Sequence, residues 1–174
     1  GHLAIVGRPN VGKSTLLNAL VGQKISITSR KAQTTRHRIR GVLTTKDHQF
    51  VFVDTPGFQT QRGNNLNSLM NRAVTHALQE VDVVLFVVEA GRFTDADRAV
   101  LRLLPAYRPV ILIINKIDRL SDKSALLPFI AKMAQQFEFA EVVPLSASHN
   151  LSLDVLLTTA GKYLPPGTPL FEAD

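Results

Sequence analysis

The chain has 174 residues, no cysteine, 45% hydrophobic content and a formal charge of +6. That length and content fit one compact domain with a sizeable core, and the missing cysteines exclude disulfides and thiolate metal sites while permitting a reducing compartment. The apolar runs at 83–88 and 110–114 are strand-sized, too short to span a membrane, and there is no signal peptide.

Short apolar runs alternate with longer segments of helical period, the pattern of a mostly parallel sheet with helices on both faces. A first strand over 2–6 leads into Gly7-Arg8-Pro9-Asn10-Val11-Gly12-Lys13-Ser14, which fits the pattern G-x-x-x-x-G-K-[ST] and is followed by Thr15. Glycines let such a backbone curl so that N–H groups converge on oxygen atoms, and a helix over 13–21 adds its positive N-terminal end. This is a cradle for a polyphosphate. Lys13 would reach the β- and γ-phosphates, and the Ser14 hydroxyl would ligate Mg²⁺. The strand before the loop and the helix after it argue against an unliganded glycine-rich turn.

Positions 1–46 hold nine Lys and Arg and no acidic residue, so the first quarter carries about +9 and the rest about −3. Two readings of Arg30, Lys31, Arg36, Arg38 and Arg40 stand: attraction of phosphates from nucleotide or RNA, or a solvated basic loop without aromatic residues to stack on bases. Strands over 38–44 and 49–54 are separated only by Thr45-Lys46-Asp47-His48, too short for a parallel crossover, so they form an antiparallel hairpin. Asp54-Thr55-Pro56-Gly57 closes the hairpin. Its carboxylate can hold a magnesium-bound water and Gly57 can offer its N–H to a γ-phosphate, although D-T-P-G in isolation is an ordinary turn.

Further along, a helix over 65–79 is preceded and opened by Asn64, Asn65, Asn67 and Asn71, a polar stretch suited to conformational change. A strand over 81–88, a helix over 95–104 and a strand over 109–114 lead to Asn115-Lys116-Ile117-Asp118. The Asp118 carboxylate can accept from guanine N1–H and N2–H₂ together, a pairing adenine lacks. Asn115 can bond the base edge and brace the loop, and the Lys116 stem can cover the ring face. A helix over 123–136, a strand over 141–145 and a helix over 152–163 complete the chain, with Leu145-Ser146-Ala147 supplying a further N–H for the guanine oxygen. In an open α/β sheet the ligand lies beyond the carboxyl ends of the strands, where each motif falls. His2, His37, His48, His76 and His149 show neither metal-ligand spacing nor a carboxylate partner, and Phe129, Phe137 and Phe139 fit the core.

With these motifs in this order the chain resembles the translation-factor-related GTPases and, within them, the Era family of bacterial ribosome-assembly GTPases. The run Ile25-Ser26-Ile27-Thr28-Ser29-Arg30-Lys31-Ala32-Gln33-Thr34-Thr35-Arg36-His37-Arg38 adds to the match. The resemblance implies a P-loop NTPase fold, a three-layer α/β/α sandwich on a six-stranded, mostly parallel sheet with one antiparallel strand and five helices. It implies GTP hydrolysis with Mg²⁺ and GTP or GDP bound. Switch I would lie over 33–37, where Thr34 or Thr35, with Thr35 favoured, reaches Mg²⁺, and switch II would begin over 54–68. Positions 1–164 would be the GTPase domain, and 165–174 the start of a linker toward a KH domain that binds 16S ribosomal RNA of the 30S subunit. No G-x-x-G clamp is present, so the expectation is the GTPase domain alone, and the start at Gly1 against the first strand leads us to expect a trimmed chain. The resemblance further implies a cytoplasmic protein with peripheral membrane association.

Where many GTPases place a water-orienting glutamine after the D-x-x-G glycine, this chain has Phe58. Hydrolysis must therefore depend on Mg²⁺, Lys13 and backbone dipoles, including Gly57, aided by something else. Related GTPases with a hydrophobic residue there and Asn at the place of Asn10 can use K⁺ beside the phosphates; otherwise Asn10 stabilises the loop. Three functions follow from the sequence: a GTP-hydrolysing switch, a guanine-nucleotide-dependent binding module, or the GTPase domain of a tRNA-modification or iron-transport relative.

Overall fold

In the computed structural model, residues 1–22, 39–55 and 65–166 are described, with the backbone alone for 65–71. The elements are β1 (His2–Val6), α1 (Lys13–Val21), β2 (Ile39–Thr44), β3 (Gln49–Val53), α2 (Asn65–Glu80), β4 (Val83–Glu89), α3 (Asp95–Leu101), β5 (Val110–Asn115), α4 (Leu126–Ala134), β6 (Glu141–Pro144) and α5 (Leu153–Gly161). The strands form one sheet in the order β2-β3-β1-β4-β5-β6. All neighbours are parallel except β2 and β3, which pair antiparallel through the short Thr45–His48 connection.

Side chains alternate across a strand, so each strand feeds two cores. On one face Ala4, Val53, Phe86 and Ile114 pack with Val74 and Leu78 of α2, Val100 of α3, and Phe129 and Met133 of α4. On the other, Leu3, Phe52, Leu85 and Ile113 pack with Leu16 and Leu20 of α1 and Leu156 and Ala160 of α5. Because β4 and β5 are covered on both sides, every residue from Val83 to Val88 and from Val110 to Asn115 is buried. That is why these strands read as unbroken apolar runs rather than alternating ones. Phe129, Phe137 and Phe139 join the first core as expected.

Helix ends depart from the sequence expectation for local reasons. Helix α3 stops at Leu101, short of 104, because Leu103 and Leu104 turn back with i→i−3 bonds to Val100 and Leu101, and the following Pro105 disfavours helical backbone before it. Helix α4 starts at Leu126 instead of 123, after a tight single turn over Lys123–Ala125 capped by the Asp122 side chain. Pro128 is tolerated in its first turn but would clash with the carbonyl four residues upstream in a longer α-helix. Helix α5 likewise tightens past Gly161, where Lys162, Tyr163 and Leu164 bond to residues three before them. Of the asparagine-rich stretch, Asn64 lies outside the described residues and Asn65 opens α2.

Parallel strands place the carboxyl ends of β1, β3, β4, β5 and β6 on one edge of the sheet. The loops that follow carry the chemistry.

Candidate active site

The 7–14 loop leaves β1 and runs into α1, whose first cross-turn bond is Leu16 N–H to Gly12 O at 2.9 Å. Asn10 and Gly12 are left-handed, with φ of 70° and 101°. Gly7 is required by packing, since a Cβ there would lie 2.7 Å from Val87 O. Gly12 is required twice over, by its φ and because a Cβ would lie 2.4 Å from Asn115 Nδ2.

Lys13 bends back over the loop, its ammonium donating to Gly7 O at 2.6 Å and Arg8 O at 2.9 Å. Burial, with the Arg8 charge adding to it, pulls its pKa below the ordinary lysine value. The Arg8 side chain turns toward α3, where its Nε donates to Asp97 Oδ2 at 3.1 Å. Asp97 is fully buried and also accepts from Thr94 N–H at 2.7 Å and Thr94 Oγ at 2.9 Å, closing the capping box of α3. Arg8 is therefore a strut that ties the loop to α3, and the loop backbone faces the site.

At the end of β5, Asn115 is buried with 2% exposure. Its Nδ2 donates to Val11 O at 2.9 Å, and its Oδ1 accepts from Ala147 N–H at 3.0 Å. The bracing role expected of Asn115 is present. The Ala147 N–H expected to face the base is instead engaged by Asn115, and the Ser146 N–H donates to Leu151 O at 3.2 Å. Lys116, left-handed at φ 65°, stretches across to Asn10 O at 2.8 Å and Glu89 Oε1 at 3.1 Å. Burial raises the Glu89 pKa, but the Lys116 hydrogen bond and the Lys116, Arg92 and Arg8 charges outweigh it and hold the group below the ordinary carboxylate value.

Asp118 stands on the turn Ile117–Arg119, its Oδ1 accepting from the Ser146 hydroxyl at 2.6 Å. That hydrogen bond is the main reason its pKa lies below the usual carboxylate value, so the group is ionised and acceptor-only at neutral pH. Asp54 at the end of β3 faces Arg40 of β2, with Oδ1 and Nη1 3.5 Å apart.

Two cavities meet at the loop. One of about 400 Å³ runs from Ser14 and Thr15 past Asn10 and Gly12 to Lys116 and Arg119. The other, about 220 Å³, reaches from Pro9 to Arg40, Asp54 and Thr55. Lys13 and Ser14 line both. A polyphosphate laid at Lys13 would have the Asn115–Asp118 motif on one side and Asp54 on the other. The Ser14 hydroxyl and the Asp54 carboxylate on the second cavity are hard oxygen donors that fit Mg²⁺, which takes few protein ligands alongside water and phosphate. Among the described residues no cluster of three or more His, Cys, Asp or Glu is placed to hold a metal ion. Thr34, Thr35, Pro56, Gly57 and Phe58 lie outside the described residues.

A family model described as 50S ribosome-binding GTPase matches residues 2–116. The chain belongs to this GTPase family. Within it, the GTPase Era of Nitrosomonas eutropha is 60% identical over 174 residues, all of this chain and 59% of that protein. GTPase Era of Neisseria meningitidis is 57% identical over 176 residues, all of this chain and 57% of that protein. Two solved Era structures at 42% identity each cover 99% of this chain and 59% of their own. One, in complex with MgGDPNP and nucleotides 1506–1542 of 16S ribosomal RNA, has a TM-score of 0.80. The other, an Aquifex aeolicus variant bound to GDP·AlF₄⁻, has a TM-score of 0.79. The chain thus spans 57–59% of the length of these relatives.

Four residues have partners that the sequence did not show. Glu89 and Asp97 fall outside every motif, and only the register that sets Glu89 beside Asn115 reveals the first. His76 and His149 do have carboxylate partners, contrary to expectation. His76 Nε2 lies 2.8 Å from Glu80 Oε1, an i,i+4 pairing that helical spacing could have exposed. His149 Nδ1 lies 3.4 Å from Asp118 Oδ2, a contact made by loop closure and invisible in spacing.

The Ser146–Asp118 bond is directly testable. In Ser146→Ala the Asp118 carboxyl loses its donor, so its pKa should rise toward the ordinary carboxylate value, about 3.9. Carboxyl-carbon NMR titration reads this; an unmoved Asp118 titration would show that other groups stabilise the carboxylate.

Proposed function

We propose that the chain binds guanine nucleotides with Mg²⁺, hydrolyses GTP, and serves as the switch of a protein acting in assembly of the small ribosomal subunit. The observation that carries the reading is the junction at Lys13 and Ser14, which line both the cavity leading to Lys116 and the one leading to Asp54. Asp118 ionised at the far end of this site would accept the paired N–H donors of guanine and leave adenine's acceptor unpaired. A site of that kind discriminates by as much as about 10⁴–10⁵. Mg²⁺ held by Ser14 and Asp54, with Thr35 as a further ligand, would neutralise charge developing on the β- and γ-phosphate oxygens.

The chain's own groups then have definite roles. Lys13 exchanges two carbonyl contacts for phosphate oxygens, the loop N–H groups of residues 7–15 other than Pro9 surround the β-phosphate, and the Gly57 N–H meets the γ-phosphate. Pro56 and Thr55 shape the turn that delivers it. Phe58 cannot orient water, so the barrier is lowered by positioning and electrostatics. The Asn10 side chain is exposed and makes no hydrogen bond among the described residues, leaving its oxygen available to K⁺ beside the phosphates.

The Era structure holding 16S ribosomal RNA, at 42% identity, supports the small-subunit partner over the large subunit in the family description. We assign the RNA contacts chiefly to a KH domain beyond the 165–174 linker. Among the described residues no helix is long and apolar enough to cross a membrane. A cytoplasmic location with peripheral attachment to the membrane is part of the same proposal.

Lys13→Ala should bind GTP at least tenfold more weakly and nearly abolish hydrolysis, while melting only slightly below the parent without nucleotide, since it loses two hydrogen bonds to backbone carbonyls. Thermal melts with and without GTP, beside phosphate release, test this. A variant stabilised by GTP as strongly as the parent would remove Lys13 from the phosphate site. Exchanging K⁺ for Na⁺ at constant ionic strength should slow hydrolysis, and Asn10→Ala should erase the difference; equal parental rates in both salts would reduce Asn10 to a loop-shaping residue.

A further inference from the structure

The six residues from Ser146 to Leu151 form a closed loop. Ser146 and Leu151 exchange backbone bonds, N–H to O at 3.2 Å and 2.9 Å, and Asn150 N–H returns to Ala147 O at 3.2 Å. The closure needs left-handed backbone at Asn150, φ 53°, and at Ser152, φ 66°. Asparagine tolerates that conformation better than most residues, and serine at 152 does so at a cost. The loop brings His149 back over Ser146, three positions earlier in the sequence.

There the His149 Nδ1 stands 3.1 Å from Ser146 Oγ, 3.0 Å from Ser148 Oγ and 3.4 Å from Asp118 Oδ2. Ser146 has one hydroxyl proton, and the 2.6 Å contact to Asp118 Oδ1 takes it. Its oxygen can therefore only accept from His149, and in the tautomer with the proton on Nδ1 the imidazole donates toward Ser146 with the Asp118 carboxylate 3.4 Å away. The Asp118 carboxylate is thus approached at each oxygen, by Ser146 at Oδ1 and by His149 at Oδ2. The second contact matters because the aspartate χ2 torsion is broad and one hydrogen bond does not fix the carboxylate plane.

We propose that His149 is a positioning residue of the base site, resting on the guanine reading of Asp118 given above: it holds the carboxylate plane so that both oxygens meet the base edge at once. A ligand that uses both oxygens benefits from that orientation, and a ligand that uses one does not. Guanine presents N1–H and the 2-amino group; hypoxanthine presents N1–H alone. His149 therefore sets the preference for GDP over IDP, while leaving affinity for IDP nearly unchanged.

The test is the affinity of the protein and its variants for GDP, IDP and ADP, by displacement of a fluorescent GDP. In His149→Ala the preference for GDP over IDP should fall roughly threefold to tenfold, the worth of one net hydrogen bond. His149→Asn, whose amide nitrogen falls near the Nδ1 position, should keep most of the preference. His149 is 64% exposed, so neither change opens the core. An unchanged ratio in His149→Ala, an equal loss for GDP and IDP, or a loss in His149→Asn as large as in His149→Ala would each overturn the proposal. A parent protein that binds ADP as tightly as GDP would instead overturn the guanine reading beneath it.

Discussion

The side-chain amide of Asn115 is bonded at both ends across more than a hundred residues of chain, to Val11 O in the phosphate loop and to Ala147 N–H after β6. The β5 strand that carries it is pinned as well, since Asn115 O accepts from Ala90 N–H at 2.8 Å. In a buried position neither end of the amide can turn to water, so displacing the loop by an ångström would leave polar groups unpaired at about 1–3 kcal/mol each. The arrangement also explains Gly12 beyond its φ: any side chain there would strike the Asn115 nitrogen. One glycine therefore serves both the curl of the loop and the brace that keeps it beside the base motif.

Charge is distributed on the same frame. Three cations crowd the loop: Arg8, Lys13 and Lys116. Asp97 neutralises Arg8 and Glu89 neutralises Lys116, each through a contact of 3.1 Å. Lys13 is met only by carbonyl oxygens, and no carboxylate pairs with it among the described residues. Its burial and the neighbouring Arg8 charge make the ammonium less favourable than in water. An anionic ligand would relieve that cost, and among the described cations of the loop Lys13 is the one left for a phosphate to neutralise.

Much of this was legible before any coordinates. The six strands follow from apolar runs of strand length, and the hairpin of β2 and β3 from a connection too short to cross over. The phosphate loop, Asp54 and the Asn115–Asp118 motif stand at strand ends because an α/β sheet leaves its loops there. Helix ends were less legible, since they turn on single prolines and i→i−3 bonds at Leu104, Ala125 and Tyr163. Second contacts were the least legible. Asp97 reaches Arg8 across 89 positions and Glu89 reaches Lys116 across 27, and side-chain pairings of that kind depend on register and loop closure. His149 shows no carboxylate partner in its sequence spacing, and the 146–151 loop is what places it against Asp118.

The central claim is that Asn115 holds two loops together, and amide hydrogen exchange of Asn115→Ala without nucleotide tests it most directly. The account predicts faster exchange by tenfold or more at Ala147 and in the 11–16 segment together, with β4 and β1 as protected as in the parent, because the brace is lost at both ends at once. Acceleration confined to Ala147, with the phosphate loop unmoved, would contradict the claim and leave each loop held by its own contacts.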